Sequence, residues 1–530
     1  MNESKTSSFP LETAAAPPIT LSKQAGGSRA RRFFEMIPGL LAWTTIILMF
    51  VLSRYTPRFV SIFIILFDIY WLLKTFYLFL HIRATFNAMK ENMKKDWLEE
   101  IAKLGDRAEK REFGAQDVYH MLLLPMYTEP YEVVRESFAS LLTVRYPKDK
   151  FIVVLAIEER AGDAAREVAQ KIQAEFGDKF FKFLVTEHPA GLAGEIPGKG
   201  SNEAWAVIEA NRRIIDPLAI PHNQTLVSVF DIDTQVYPDY FGRLTHAFLT
   251  AEHPLRSVYQ PVPLFINNIF DAPALARVVA FSASFWQMIQ QSRPERLTTF
   301  SSQSIPLQTL VEIGFWNRDV VSEDSRIFWQ GYLHYHGDFR VEPLTYPVSM
   351  DANVAPTFWG TMVNIYKQQR RWGWGCENIP YMLEGFRKDP QISKKKKWYW
   401  SFIVFEGFHS WATNSLMIFA LGWLPVTLGG RVFNYTLLSY SLPHVTRLIV
   451  SISTFGVATS AALAFLLLPA RPKWFRKRHS VLYILEWVLM PITLIVFGAF
   501  PGIEAQTRLM LGGKYRLGFW VTPKGRKSET

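Results

Sequence analysis

Uncharged apolar runs near both ends of this chain, with a charged, mixed-sequence body between them, constrain its fold more than any other feature. The first run covers residues 37–51 and follows Arg29, Arg31 and Arg32; the second covers about 59–82. Both approach the ~20 apolar residues that a helix needs to cross the hydrocarbon of a bilayer. Asp68 and Lys74 fall inside the second run, so they must face protein or snorkel to the interface rather than meet lipid. Further apolar blocks lie at about 399–427, 437–469 and 481–503. A chain of 530 residues is too long for one compact core and predicts two or three structural units. With 41 Phe and 17 Trp, yet 20% charged residues, it fits neither a wholly lipid-buried protein nor an ordinary soluble one.

Charge gives the orientation. The net charge is +11, and the basic residues crowd beside the apolar blocks, as in Lys394-Lys395-Lys396-Lys397 and the stretch 471–479. That placement favours an anionic membrane face over nucleic acid as the partner. Residues 1–32 lack hydrophobic periodicity and read as a disordered cytosolic tail, with no cleavable signal peptide because the first apolar run starts only near Ile37. Two crossings within 33–83 and a charged helical linker over 84–116 place the following body in the cytosol, and the two downstream basic loops also belong there. The last apolar block poses a parity problem, since a single crossing would put the 512–530 tail outside. A hairpin broken near Pro491 or Pro501, or a re-entrant segment, restores an even total of four or six. The expectation is a multi-pass protein of the plasma (inner) membrane. The lone Cys376 excludes an intramolecular disulfide and suits a reducing compartment.

The body, residues 117–345, reads as α/β. Short apolar runs at 118–124, 151–157, 181–185 and 226–230 suit buried parallel strands, and 132–144 and 164–176 have helical spacing between them. Strand–helix alternation of this kind predicts a doubly wound sheet with ligands at the carboxyl ends of its strands. Asp231-Ile232-Asp233 sits just past one such end. Two aspartates in a turn often only satisfy backbone N–H groups, but hard carboxylates delivered by a buried strand also suit Mg²⁺ or Mn²⁺, which bridge phosphates. Glu323-Asp324 opens the segment 325–335; acidic residues there favour a helix N-terminus, and one carboxylate is also placed to act as a general base. Gln368-Gln369-Arg370-Arg371-Trp372 follows at the membrane boundary. Its Arg and Trp suit lipid anchoring, and equally phosphate binding and sugar stacking.

Taken in order, these pieces resemble membrane-embedded family 2 glycosyltransferases of the cellulose, chitin and hyaluronan synthase type. Leu124-Pro125-Met126-Tyr127-Thr128-Glu129-Pro130 resembles the opening strand and loop, and Gly198-Lys199-Gly200-Ser201-Asn202 the donor loop. Asp231-Ile232-Asp233 matches the metal motif, and Tyr259-Gln260-Pro261 with Phe265-Ile266-Asn267 resembles the segment behind the acceptor site. Ser322-Glu323-Asp324 is similar to Thr-Glu-Asp, Gln368 to Trp372 fits the Gln-(Gln/Arg)-x-Arg-Trp pattern, and Phe519-Trp520-Val521-Thr522-Pro523-Lys524 resembles the C-terminal gating element. The resemblance covers about residues 38–525. It implies a GT-A-like, Rossmann-like cytosolic domain inserted between transmembrane α-helices, with interfacial amphipathic helices over 346–398 and further transmembrane helices over 399–511.

The resemblance also implies roles. Asp324, beside Glu323, would be the catalytic base; Glu158, Glu159, Lys199, Asp231 and Arg371 would bind the donor; Asp233 with Asp231 would hold Mg²⁺ or Mn²⁺. Gln260, Gln368, Gln369 and Trp372 would meet the acceptor, and Phe519, Val521, Thr522 and Lys524 would gate. The implied reaction is an inverting transfer of a hexose from a UDP- or GDP-linked donor to a growing polysaccharide, with export through the membrane part. Glu158-Glu159 depart from the family's aspartate at the nucleobase position, and the glycine-containing strand expected near 300–304 is missing. Two rival functions remain open at this level: transfer of a single sugar to a lipid acceptor, and a non-catalytic transporter or scaffold with Asp68, Lys74, Glu406 and His409 as an intramembrane relay.

Overall fold

The computed structural model describes residues 29–105 and 113–522. Residues 1–28 of the expected tail, the stretch 106–112 and Lys524 of the gating motif lie outside the described residues, whereas 29–32 of that tail open the first helix, Arg29–Tyr55.

Among the described residues, eight strands form one sheet: β1 (Tyr119–Pro125), β2 (Phe151–Glu158), β3 (Lys182–His188), β4 (Thr225–Val229), β5 (Gln235–Val236), β6 (Ser257–Phe265), β7 (Ser304–Pro306) and β8 (Arg340–Met350). Their order is β3-β2-β1-β4-β7-β6-β8-β5. The first four are parallel and match the apolar runs of the sequence within three residues. Because side chains alternate along a strand, β1 sends Leu122 and Leu124 into one core and Met121 and Leu123 into the other, so both faces of the sheet are covered. Helices Tyr131–Thr143 and Gly162–Phe176 pack on the first face, and Lys199–Ala210 on the second.

The rest of the sheet is mixed, which corrects the expectation of a doubly wound sheet throughout. β7 is antiparallel to both β4 and β6, β6 is parallel to β8, and β5 is antiparallel to β8. β6 holds Pro261 and Pro263, which cannot donate to a ladder. It tolerates them because β7 pairs with it only at Tyr259 and a register shift falls between Gln260 and Val262.

Among the described residues, three stretches are long and apolar enough to cross a membrane: Arg29–Tyr55, Pro57–Asn92 and Lys477–Leu511. The third is not one regular helix. A π-helical stretch, Leu494–Ala499, interrupts it, and Pro491 and Pro501 lie at the starts of its segments. Helices Lys394–Leu421 and Leu437–Leu467 complete the apolar part. Gly39 lets the first helix touch the last, since a Cβ there would lie 2.7 Å from Met510 Cβ. Lys74 pairs with Glu406 at 3.1 Å, and His409 Nε2 lies 2.9 Å from Thr45 Oγ1. No hydrogen bond reaches either buried carboxylate oxygen of Asp68 among the described residues.

The apolar part and the sheet are joined directly. The second helix runs past the apolar stretch to Asn92, whose Nδ2 donates to the Thr345 carbonyl on β8 at 3.0 Å. Thr85 Oγ1 donates to the Met288 carbonyl at 2.6 Å, which ties the same helix to Ala274–Gln291.

Candidate active site

Three motifs far apart in sequence meet at one ammonium group. Lys199 begins a helix and its side chain is only 10% exposed. Its Nζ lies 3.1 and 3.0 Å from the two oxygens of Asp324 and 2.8 Å from Asp231 Oδ1. Glu203 Oε1 is 3.5 Å away and Glu323 Oε1 4.0 Å away. The convergence follows from the topology. Asp231 comes directly off the end of β4, and Glu323 and Asp324 form the first turn of helix Glu323–His334. Two helix N-termini therefore abut. Gly200 makes room for that contact, since a Cβ there would come within 2.8 Å of Glu323 Cβ.

Four carboxyl groups around one ammonium in a buried space cannot all be ionised cheaply. Burial alone would lower the Lys199 pKa, but the attraction of Asp231, Asp324, Glu203 and Glu323 outweighs it and holds the ammonium well above its usual value. Burial, opposed by Lys199, pushes the Glu203 carboxyl well up. Burial and then the Asp324 charge push Glu323 up to about 8. Asp324 is raised as well, by burial first, with Lys199 and Arg371 opposing. Glu323 thus stores a proton at neutral pH, while Asp324 meets the cation with both of its oxygens.

A stability prediction follows from Glu323. Its value in the fold lies above its unfolded one, so its neutral form contributes fully at low pH, and that contribution fades as pH rises through about 8. Glu323→Gln, always neutral, is expected to match the parent protein near pH 5 and to unfold a few degrees higher near pH 9. Thermal unfolding in detergent checks this; parallel pH curves for the two proteins would refute it.

Asp233 is placed apart from Lys199. It is fully buried, its Oδ2 accepts from the Asp351 backbone N–H at 2.9 Å, and its carbonyl accepts from Asn267 Nδ2. Asp231 is steadied by Ser301, whose Oγ donates to its Oδ2 at 2.7 Å. Gln260 is fully buried behind that loop. Its amide donates to the Ser301 carbonyl and accepts from the Phe300 N–H, so it positions the serine that touches Asp231. Glu158 and Glu159 end β2 and begin the next turn; Glu158 is gripped by Arg160, and Glu159 accepts from the Ala190 N–H.

Helix Phe358–Gly373 carries Gln368 to Trp372. Trp372 stands against Phe265 and Phe300, with ring centroids 5.8 and 5.7 Å away, and with Gln368, Asp351 and Asn353 it lines a cleft. Gln369 is buried. Arg370 turns to Glu504 at 2.6 Å, whereas the Arg371 guanidinium lies 5.3 Å from the Phe519 ring centroid. Phe519 in turn covers the loop before Lys199, for a Cβ on Gly198 would fall 2.5 Å from its ring. The segment ending in Val521 and the buried Thr522 therefore lies beside the Lys199 loop.

Sequence reasoning missed two residues here. Glu203 stands four positions after Lys199, and helical spacing alone would have put it on the same face. Glu377 accepts from the N–H groups of Val321 and Ser322, from Ser322 Oγ and from Trp374 Nε1, and so pins the start of the Asp324 helix to the turn that follows helix Phe358–Gly373. No signal in the sequence announces it.

Hard carboxylate oxygens make a donor set that suits Mg²⁺ or Mn²⁺. Glu203, Glu323 and Asp324 offer oxygens within 4.8 Å of one another, and those of Glu203 and Glu323 are buried without a hydrogen bond among the described residues.

No protein-family model matches this chain, and no curated protein does. Among solved structures, the mannosyltransferase PcManGT from Pyrobaculum calidifontis, in complex with GDP-Man and Mn²⁺, is 14% identical with a TM-score of 0.40, over 73% of this chain and 99% of that one. TarS 1-349 from S. aureus, in complex with UDP-GlcNAc, is 14% identical with a TM-score of 0.31, over 67% of this chain and 93% of that one. Likenesses this slight carry no weight for the chemistry, which rests on the residues above.

Proposed function

We propose that this chain is an inverting membrane glycosyltransferase that moves a sugar from a nucleotide-diphosphate donor to a hydroxyl of a growing polysaccharide. The observation that carries this reading is the meeting of Lys199, Asp231 and Asp324 at the carboxyl ends of the parallel strands, where open α/β sheets bind ligands. An ammonium beside the acidic pair is placed to bind diphosphate oxygens. Once the diphosphate engages Lys199, Asp324 is released to take the proton of the acceptor hydroxyl. The hydroxyl oxygen bonds to the anomeric carbon as the bond from that carbon to the diphosphate oxygen breaks, and the diphosphate leaves with both electrons. Arg371, which already biases Glu323 and Asp324, adds positive charge on the donor side. Trp372, Phe265 and Phe300 offer flat apolar faces on which sugar rings stack, which supports a carbohydrate acceptor over a polyprenyl one.

A divalent ion would be held by Asp231 with Asp233, and Glu203 and Glu323 offer further oxygens nearby. Its chemistry would be to neutralise charge on the departing diphosphate. The apolar helices and the cytosolic orientation read from the basic loops support a site at the inner face of a plasma membrane.

The test uses the purified protein in nanodiscs with Mg²⁺ or Mn²⁺ and a panel of UDP- and GDP-sugars, measuring released nucleoside diphosphate. Release from one donor, dependent on metal and reduced about 10²-fold or more in Asp233→Asn, is expected. No release and no donor binding across the panel would end the transferase reading.

A further inference from the structure

We infer that Glu158, at the end of β2, selects guanine, so that the donor is a GDP-sugar. This rests on the transferase reading and names its substrate more narrowly.

Glu158 ends β2 with 5% of its surface exposed, and both carboxylate oxygens face one planar partner. Arg160 Nε donates to Oε2 at 2.5 Å and Nη2 to Oε1 at 3.0 Å, while the guanidinium carbon lies 4.5 Å from the centroid of the Tyr127 ring. Glu159 takes no part, being held by the Ala190 N–H at 2.7 Å. The position suits a nucleobase. β1 separates β2 from β4, so Glu158 and Asp231 end strands two spacings apart, roughly 10 Å. That is the scale on which an extended nucleotide separates its base from its diphosphate.

A carboxylate that accepts two parallel N–H bonds from a flat conjugated group stacked on an aromatic ring is a site for a planar ligand with two adjacent donors. Guanine presents this edge. Its N1–H and exocyclic N2–H belong to the same N–C–N unit as a guanidinium. Uracil carries one N–H between two carbonyl oxygens, one of which would oppose the second carboxylate oxygen. Adenine and cytosine each set an acceptor nitrogen beside their amine. Arg160 thus occupies the place of the base, and guanine displaces it while keeping both the carboxylate pairing and the Tyr127 stack.

The experiment measures binding of GDP, inosine diphosphate and UDP to the full chain in nanodiscs by calorimetry. GDP is expected to bind roughly 10–100-fold tighter than UDP, the scale of hydrogen bonds to a charged partner, with inosine diphosphate weakened about tenfold by the lost amine. Glu158→Gln, close in shape, abolishes the preference. Arg160→Ala, which removes the competitor, binds GDP more tightly. UDP binding as tightly as GDP would overturn the guanine assignment and leave the transferase reading standing. Weaker GDP binding in Arg160→Ala would overturn the displacement. Failure of every nucleoside diphosphate to bind would remove the reading beneath both.

Discussion

Asp324→Asn is expected to lower turnover by about 10²–10⁴-fold, the range for loss of a general base, with donor binding retained. The amide cannot accept the hydroxyl proton, yet it fills the same space at the start of its helix. The surroundings of Asp324 explain why this residue carries the role. Burial raises its pKa, so it binds a proton more firmly than an exposed aspartate would, and Lys199 keeps it ionised until a diphosphate draws that ammonium away. The substitution also removes a contact that competes with the donor for Lys199, so donor affinity is expected to be unchanged or higher. Single-turnover release of diphosphate, measured beside donor affinity, separates the two effects. Parent-like turnover in the variant would dismiss Asp324 as the base, and lost donor binding would make it a donor ligand instead.

Lys199→Met is expected to have the second largest effect, this time on the fold. It removes the one cation shared by Asp231, Asp324, Glu203 and Glu323 and puts an apolar chain of similar length in its place. Breaking a buried charge pair from one side costs about 3–5 kcal/mol. Protonation of the orphaned carboxyls softens that cost, so the loss is larger near pH 8 than near pH 5. Chemical unfolding at both pH values checks the size and the sign, and nucleoside diphosphate binding is lost with it. Lys199→Arg keeps the charge and should recover most of the stability. A Met variant as stable as its parent near pH 8 would show that these carboxyls are neutral without the ammonium.

Much of this site was legible in the sequence, for a physical reason. Lys199, Asp231 and Asp324 each stand at a strand end or a helix start, and those are the places where an open α/β sheet gathers groups from distant parts of the chain. The parallel half of the sheet was legible too, because strands buried on both faces are continuous apolar runs. The mixed half was hidden. The prolines of β6 argue against a central strand, and β7 is three residues long, too short for any period to show. The metal expectation centred on Asp233 was drawn from an Asp-x-Asp at a strand end and from the family resemblance, and neither can show that a neighbouring backbone, here the N–H of Asp351, already engages one of its oxygens. Glu377 reaches across 55 residues to Ser322, and no local pattern encodes a contact of that span.

The helix that leaves the apolar part and runs to Asn92 sets a height. From Ile82 to Asn92 it rises about 15 Å at 1.5 Å per residue, and its bonds at Thr85 and Asn92 join it to the sheet without an intervening linker. On the proposed function, a body mounted this way is a fixed workbench rather than a swinging arm: its site would keep one distance from the bilayer, and each added unit would be accommodated by movement of the product. Inserting four residues into that helix would shift the workbench by about 6 Å, close to the size of a sugar ring, and turn it by about 40°.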